Sequence, residues 1–187
     1  VNGLAKKMGF NQFQFIGLTG NDFILGVAIV NLKWVSNCFL YVYEPSTKNF
    51  KEFSWLKPFA LNTQTSNQPN GGDWAFKSGK NTIEISTHNG QRRLKLDIGQ
   101  ELKVDVSINE KTKSQNGTYQ PLAVCCRAGY SGWVFTQKAT ALDFSGDINW
   151  QGRNIETKDL LASVDWSCGY MRRETFWHWA SLRHTTK

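Results

Sequence analysis

The chain has 187 residues, of which 40% are hydrophobic and 13% aromatic, so it can build a sizeable core and is not intrinsically disordered. No run approaches the roughly 20 consecutive apolar residues that a membrane-spanning helix needs, so we expect no membrane span. The net charge of +7 raises the question of a nucleic-acid partner, but the scattered lysines and arginines favour an ordinary basic surface and no such partner.

Short β-branched and aromatic runs begin near the N-terminus. The runs "FQFIGL", "FILGVAIVNLKWV", "CFLYVYE" and "KEFSWL" are bounded by Gly, Asn, Asp or Pro, which predicts a series of strands. The stretch that follows, "LNTQTSNQPNGGD" (61–73), is polar and has no apolar pattern. It predicts an exposed, mobile loop.

The middle of the chain alternates apolar and polar residues with a period of two. Every second residue is apolar in "TIEIST", "RRLKLDIG" and "ELKVDVSINE", as a half-buried strand requires. The Asn-Gly pair of "HNGQ" lies between the first two segments and predicts a tight hairpin turn.

Strand-like runs continue in "LAVCCRA", "GWVFTQKATALDFSGD" and "INWQG", and only "TKDLLASV" predicts a short helical piece. The absence of a strand–helix rhythm argues against a parallel sheet. We therefore predict an all-β fold of about ten antiparallel strands forming a curled sheet, barrel or sandwich. Short connections favour an up-and-down meander, with less than about a fifth of the residues in helices.

Cysteine and histidine positions give little support for a disulfide or a metal site. Cys125 and Cys126 are adjacent, which suits a structural bridge poorly, so reduced thiols and a cytoplasmic location are expected. No metal-ligand spacing links Cys168, His178 and His184. Phosphate-binding glycine loops and the G-x-S-x-G motif are also absent, and we expect neither a metal nor a cofactor.

Aromatic and charged residues are concentrated in "VDWSCGYMRRETFWHWAS" (164–181). A central strand over 170–179, buried on both faces, is one interpretation. An ordinary aromatic core with arginines stacked on it is the other. If Arg173 is buried it needs an ionic partner, and Asp165, expected at the preceding turn, is the first candidate.

The same segment resembles the bacterial family known as domain of unknown function 2804. The resemblance extends from about residue 13 to 181, and its most specific pattern consists of Asp165, Gly169-Tyr170, Arg173, Thr175, Trp177 and Trp179. It implies a lipocalin-like fold, remotely similar to carotenoid hydratases and tocopherol cyclases, which act on apolar isoprenoids. It also implies that residues 1–187 form a single β-rich domain, the N-terminal half of a longer two-half protein.

Two functions are compatible with these features. In the first hypothesis, the protein binds an apolar small molecule, lipid or isoprenoid-like, in an aromatic-lined cavity. Alternatively, it is a hydratase- or cyclase-type enzyme in which Asp165 or Glu174, desolvated beside tryptophans, protonates such a ligand. The predicted ligand-binding residues are Tyr170, Arg173, Thr175, Trp177 and Trp179.

Overall fold

The computed structural model describes residues 3–111, 113–114, 117–118 and 121–172. Within these residues the protein consists of two seven-stranded antiparallel sheets, a two-stranded hairpin and one short helix. The predicted all-β class and the low helix content are confirmed.

In chain order, the helix and strands are α1 (Gly3–Gly9), β1 (Asn11–Thr19), β2 (Ile24–Asn31), β3 (Val35–Glu44), β4 (Asn49–Pro58), β5 (Thr63–Gln64), β6 (Gly72–Ser78), β7 (Asn81–His88), β8 (Gln91–Ile98), β9 (Leu102–Asn109), β10 (Lys113–Ser114), β11 (Gly117–Thr118), β12 (Leu122–Ala128), β13 (Gly132–Leu142), β14 (Phe144–Trp150), β15 (Arg153–Asn154) and β16 (Leu161–Gly169).

Each large sheet is mainly a meander of sequential strands. Sheet 1 has the order β12-β13-β16-β1-β2-β3-β4, and sheet 2 has the order β15-β14-β9-β8-β7-β6-β5. The non-sequential neighbours are β16, which lies between β13 and β1, and β14, which pairs with β9. Both sheets are curled and neither closes on itself, in agreement with the predicted lipocalin-like meander.

The hairpin of β7 and β8 follows directly from its turn residues. Asn89 and Gly90 both have positive φ angles, 52° and 76°, as a type I′ turn requires. Pairing begins at His88 and Gln91, on either side of this turn. The Asn-Gly prediction is therefore confirmed.

The core lies between the two sheets, because the apolar side chains of each point toward the other sheet. Alternate residues of β3 and β8, such as Leu40 and Leu94, are fully buried in a single apolar cluster. Trp74 and Trp150 from sheet 2 are among its largest members. Burying one such side chain contributes about 1.5–3 kcal/mol, so the inward-facing residues fix the register of both sheets.

The helical piece predicted in "TKDLLASV" is wrong. Its first residues lie in a turn and the remainder begins β16, which pairs with β1 on one side and β13 on the other. Ala162 and Val164 are buried on the inner face of sheet 1. Two complete hydrogen-bond ladders outweigh the weak local helix preference of a few residues.

The polar segment before β6, predicted as an exposed, mobile loop, is largely exposed and is hydrogen-bonded to sheet 1. The buried side chain of Gln12 donates hydrogen bonds to the Ser66 carbonyl oxygen at 3.0 Å and to Asn67 Oδ1 at 2.9 Å. Its Oε1 accepts hydrogen bonds from Thr65 Oγ1 at 2.9 Å and Lys33 Nζ at 2.6 Å. A buried amide needs such partners, and the segment supplies most of them.

Thiol titration should separate the four free cysteines into two pairs. Cys125 and Cys126 are exposed, whereas Cys38 and Cys168 are buried. Burial raises the pKa of the Cys38 thiol, and burial with a smaller contribution from Cys125 raises the pKa of Cys168. Because the thiolate is the reactive form, we expect an aromatic disulfide reagent to modify two thiols rapidly in the native protein and four after denaturation. Four rapid thiols would contradict the buried positions, and fewer than four after denaturation would contradict the free state.

Candidate functional site

A cavity of about 290 Å³ lies between the two sheets at one end of the core. It is bounded by inward-facing side chains of both sheets and by the residue that follows β9. The lining includes Arg92, Glu110, Gln137, Ala139, Val164 and Trp166.

Strand alternation places these side chains. In β16, Val164 and Trp166 point toward the core, and Asp165 between them points outward. In β8, Arg92 lies on the same face as Leu94, so the alternation that buries the leucine also buries the arginine. The cavity wall is therefore part apolar and part ionic.

Arg92 is only 2% exposed and is held by an ion pair. Its Nε and Nη2 donate hydrogen bonds to Glu110 Oε1 and Oε2 at 2.5 and 3.3 Å, and Nη2 also donates to the Pro69 carbonyl oxygen at 2.7 Å. An unpaired charge at this depth would cost several kcal/mol, so the pair is required once the arginine faces inward. The sequence predicts a pair of this kind at Arg173 and Asp165, of which Arg173 lies outside the described residues.

Trp166 forms the aromatic part of the wall. Its ring packs edge-to-face against Phe135, with centroids 6.0 Å apart. The side chain is 1% exposed, and its indole N–H has no hydrogen-bond partner among the described residues. Leaving such a donor unsatisfied costs about 1–3 kcal/mol.

Gln14 lies beside Trp166 on the inner face of sheet 1, since the two residues are directly opposite in the β1–β16 ladder. It is fully buried, and neither its Oε1 nor its Nε2 has a partner within the part of the chain that the structure describes. Two residues earlier on the same strand, Gln12 has hydrogen-bond partners for both its Nε2 and its Oε1. Unsatisfied polar atoms are thus concentrated at the row of Gln14 and Trp166.

Asp165 is in the middle of β16 and not at a turn, so that part of the sequence prediction is wrong. Its side chain forms an ion pair with Lys138 and accepts hydrogen bonds from Thr136 Oγ1 at 3.2 Å and Ser167 Oγ at 3.3 Å. These residues belong to the outer face of sheet 1, where Asp165 and Phe15 border a separate depression of about 190 Å³. Asp165 therefore does not share a face with Trp166.

The remaining predicted site residues lie apart from the cavity or outside the description. Tyr170 follows β16 and packs with Phe10 and Trp133, at ring-centroid distances of 5.6 and 5.9 Å. It is not among the residues that line the cavity. The predicted strand 170–179 extends beyond the described residues, and so do Arg173, Glu174, Thr175, Trp177 and Trp179.

Sequence reasoning missed Arg92 and Gln14, although a signal for both was present. In "RRLKLDIG" the alternation places Arg92 in phase with the leucines, and in "NQFQFIGL" it places Gln14 in phase with Ile16. A charged or amide residue in phase with a buried row is a candidate for a paired or functional polar group.

The described residues contain neither a cluster of metal ligands nor a helix that could span a membrane. No group of three His, Cys, Asp or Glu side chains there is arranged to hold a metal ion. Among the same residues, no helix is long and apolar enough to span a membrane.

Solved structures of other proteins share this fold. The AttH-like protein of Nitrosomonas europaea aligns with 86% of this chain and 50% of its own, at 12% identity and a TM-score of 0.51. CghA, solved with Sch210972, aligns with 87% of this chain and 46% of its own, at 7% identity and a TM-score of 0.57. Kievitone hydratase from Nectria haematococca aligns over 89% and 51%, at 11% identity and a TM-score of 0.46.

The chain thus spans about half the length of these solved structures. No curated protein matches the sequence significantly. The sequence resemblance to a family is confirmed over nearly the whole chain: the family model described as "Domain of unknown function (DUF2804)" matches residues 3–187, and the protein belongs to this family.

Proposed function

We propose that the protein binds a small, mainly apolar molecule with one polar oxygen in the cavity between its sheets. The observation that carries this proposal is Trp166, whose side chain lines the cavity and whose buried indole N–H has no partner among the described residues. A ligand oxygen accepting that hydrogen bond would remove the cost of the unsatisfied donor.

Cavity size limits the ligand. Small-molecule sites are usually about 300–1,000 Å³, so a cavity of about 290 Å³ is at the lower end. It fits a small molecule, or one end of a longer lipid or isoprenoid-like chain. Val164, Ala139 and the ring of Trp166 supply the apolar contact surface.

The Arg92–Glu110 pair favours a neutral hydroxyl or carbonyl group over a carboxylate at this part of the wall, whereas Lys111 elsewhere in the lining is a cation. Arg92 already binds both oxygens of Glu110, so an anionic ligand would have to compete with an existing buried pair. A neutral oxygen can accept from Trp166 without disturbing it. The amide of Gln14 lies beside Trp166 with its polar atoms unpartnered among the described residues, but it is not one of the residues that line the cavity.

A solved structure with the same fold supports a ligand site, and the free thiols indicate a compartment. CghA, which shares the fold, has a crystal structure with the small molecule Sch210972. The four free thiols of this chain suit a reducing compartment, and we infer a cytoplasmic location from them. Arg173, Thr175, Trp177 and Trp179 stay predicted ligand contacts.

Acid catalysis on the bound molecule is less well supported by the described carboxyl groups. Asp165 is paired with Lys138 on the outer face, and both oxygens of Glu110 are occupied by Arg92. A proton donor needs direct reach to the reacting atom: Asp165 is on the other face of sheet 1, and Glu110 lines the cavity but binds Arg92 through both oxygens. Glu174 stays a predicted candidate.

Trp166→Phe should weaken ligand binding, because it keeps most of the ring but removes the hydrogen-bond donor. Trp74→Phe is the matched control, since the Trp74 indole N–H is also buried and unpartnered but does not line the cavity. We expect about a fivefold or greater loss for Trp166→Phe, as for one hydrogen bond, and little change for Trp74→Phe. Saturation-transfer NMR with medium-chain alcohols, ketones and carboxylic acids measures this. Equal binding by both variants, or no binding of any probe by the wild type, would contradict the proposal.

Gln14→Met and Gln12→Met should have opposite effects on stability. Gln14 is buried without partners, so replacing it with an apolar residue of similar shape should raise the free energy of unfolding of the unliganded protein by about 1–3 kcal/mol. Gln12 makes four hydrogen bonds, and its replacement should lower that free energy by at least about 2 kcal/mol. Urea unfolding measures both changes. Destabilisation by Gln14→Met would show that its amide has a structural role.

A further inference from the structure

Five apolar side chains protrude from one end of sheet 1, at the β2–β3 turn, the end of β4 and the link between β4 and β5. Each is between 38% and 68% exposed, and Trp34 and Phe59 lie together with ring centroids 6.3 Å apart. This end patch consists of Leu32, Trp34, Leu56, Phe59 and Leu61. Exposed apolar clusters on a folded domain are a common sign of an interaction surface.

The backbone holds the patch in place. Phe59 and Ala60 are consecutive residues with φ angles of 53° and 52°, and Lys33 has a φ of 69°. The left-handed region is unfavourable for such residues and persists only where surrounding contacts impose it. Here the Phe59 N–H donates to the Trp34 carbonyl oxygen at 2.8 Å, which ties the two turns together. The protruding rings are therefore built into the fold.

Lysines lie near the patch, and one of them, Lys33, donates its Nζ to Gln12 Oε1. Lys33 and Lys57 belong to its two segments, and the pKa of Lys33 is lowered first by burial and then by repulsion from Lys7, so a third ammonium group is near. No aspartate or glutamate occurs in residues 3–21 or 53–72. The lysines next to the patch thus have no carboxylate from these segments to neutralise them.

Two carboxylates of sheet 1 lie at the opposite end, and a third, the exposed Glu52, lies in the middle of β4, four residues from Leu56. Asp22 precedes β2 and Glu44 ends β3, whereas the patch lies at the other end of both strands. A strand of ten residues such as β3 is about 30 Å long, which exceeds the screening length in physiological salt. A negatively charged surface would therefore attract the patch end without repulsion from Asp22 or Glu44.

We propose that the end patch binds the interfacial region of an anionic lipid bilayer. Tryptophan and phenylalanine side chains at the tips of turns can enter the zone between headgroups and acyl chains, where aromatic rings are favoured. The flanking lysines add attraction to anionic headgroups. The protein is held on the surface by these contacts and does not cross the bilayer. This proposal goes beyond the ligand site and does not depend on the cavity.

Vesicle co-sedimentation of the full chain tests the apolar part. We expect binding to vesicles of phosphatidylcholine with phosphatidylglycerol, and about a tenfold or greater loss of binding for the Trp34→Ser/Phe59→Ser double variant. Leu122→Ser is the matched control, because Leu122 is also highly exposed but is outside the patch. Thermal melts followed by circular dichroism confirm that each variant is folded.

Charge reversal tests the electrostatic part. Lys57→Glu should reduce binding about fivefold or more, whereas Lys158→Glu, the same change at an exposed site outside the patch, should have little effect. Vesicles of phosphatidylcholine alone should bind the wild type much more weakly. Trp166→Phe should leave vesicle binding unchanged, so failure of the cavity proposal and failure of this one are distinguishable.

Three results would overturn the proposal. The first is wild-type protein that does not sediment with anionic vesicles. The second is a folded Trp34→Ser/Phe59→Ser variant, or a folded Lys57→Glu variant, that binds as well as the wild type. The third is a wild-type dimer in sedimentation velocity that the double variant abolishes while vesicles have no effect, because the occupant of the patch would then be a second copy of the chain.

Discussion

β16 is hydrogen-bonded to β1 on one side and to β13 on the other, and the rest of the structure depends on this insertion. It joins the N-terminal meander of sheet 1 to the strands near the other end of the chain, across about 150 residues of sequence. Its register places Trp166 opposite Gln14 and Gln137 on the inner face and Asp165 opposite Lys138 on the outer face. A slip of one residue would move Trp166 to the outer face and Asp165 into the core, so burial strongly specifies this register.

The same register explains which parts of the fold could be predicted from sequence. Alternation and the Asn89–Gly90 turn identify β7, β8 and β9 because local pattern and burial agree there. β16 was misjudged at its start because "TKDLLASV" has no clear period of two, and its strand form comes from two distant partners. Likewise, nothing local in the polar segment before β6 reveals that Gln12 will bind it.

The candidate site could be predicted only in kind. The sequence predicts an inward arginine with a carboxylate partner at Arg173, which lies outside the described residues, and the structure has such a pair at other positions, Arg92 and Glu110, beside Trp166. Alternation could have identified the inward direction of Arg92. It could not show that β8 faces β13 and β16 across the core, because that depends on how the two sheets pack together. The predicted position of Asp165 is wrong because the sequence interpretation begins the strand at residue 170, whereas β16 begins at Leu161.

Gln12 and Gln14 are both buried amides of β1, but they differ in their hydrogen bonding. The first is fully bonded and anchors a polar segment to sheet 1, and the second leaves its polar atoms unmatched beside Trp166. Since an unmatched buried amide lowers stability, its position next to a cavity suits a group kept for binding better than one kept for folding.

The polar segment connects the end patch to the cavity through the backbone. It begins at Leu61 in the patch and continues past Gln12, and its far end contacts the cavity wall. There the Pro69 carbonyl oxygen accepts from Arg92, and Asn70 Oδ1 accepts from Gln137 Nε2 at 2.5 Å. A displacement of the segment at the patch would therefore strain the hydrogen bonds that hold Arg92 and Gln137. The end patch and the cavity therefore share one structural element, and its hydrogen bonds to Gln12, Arg92 and Gln137 fix that element to both sheets.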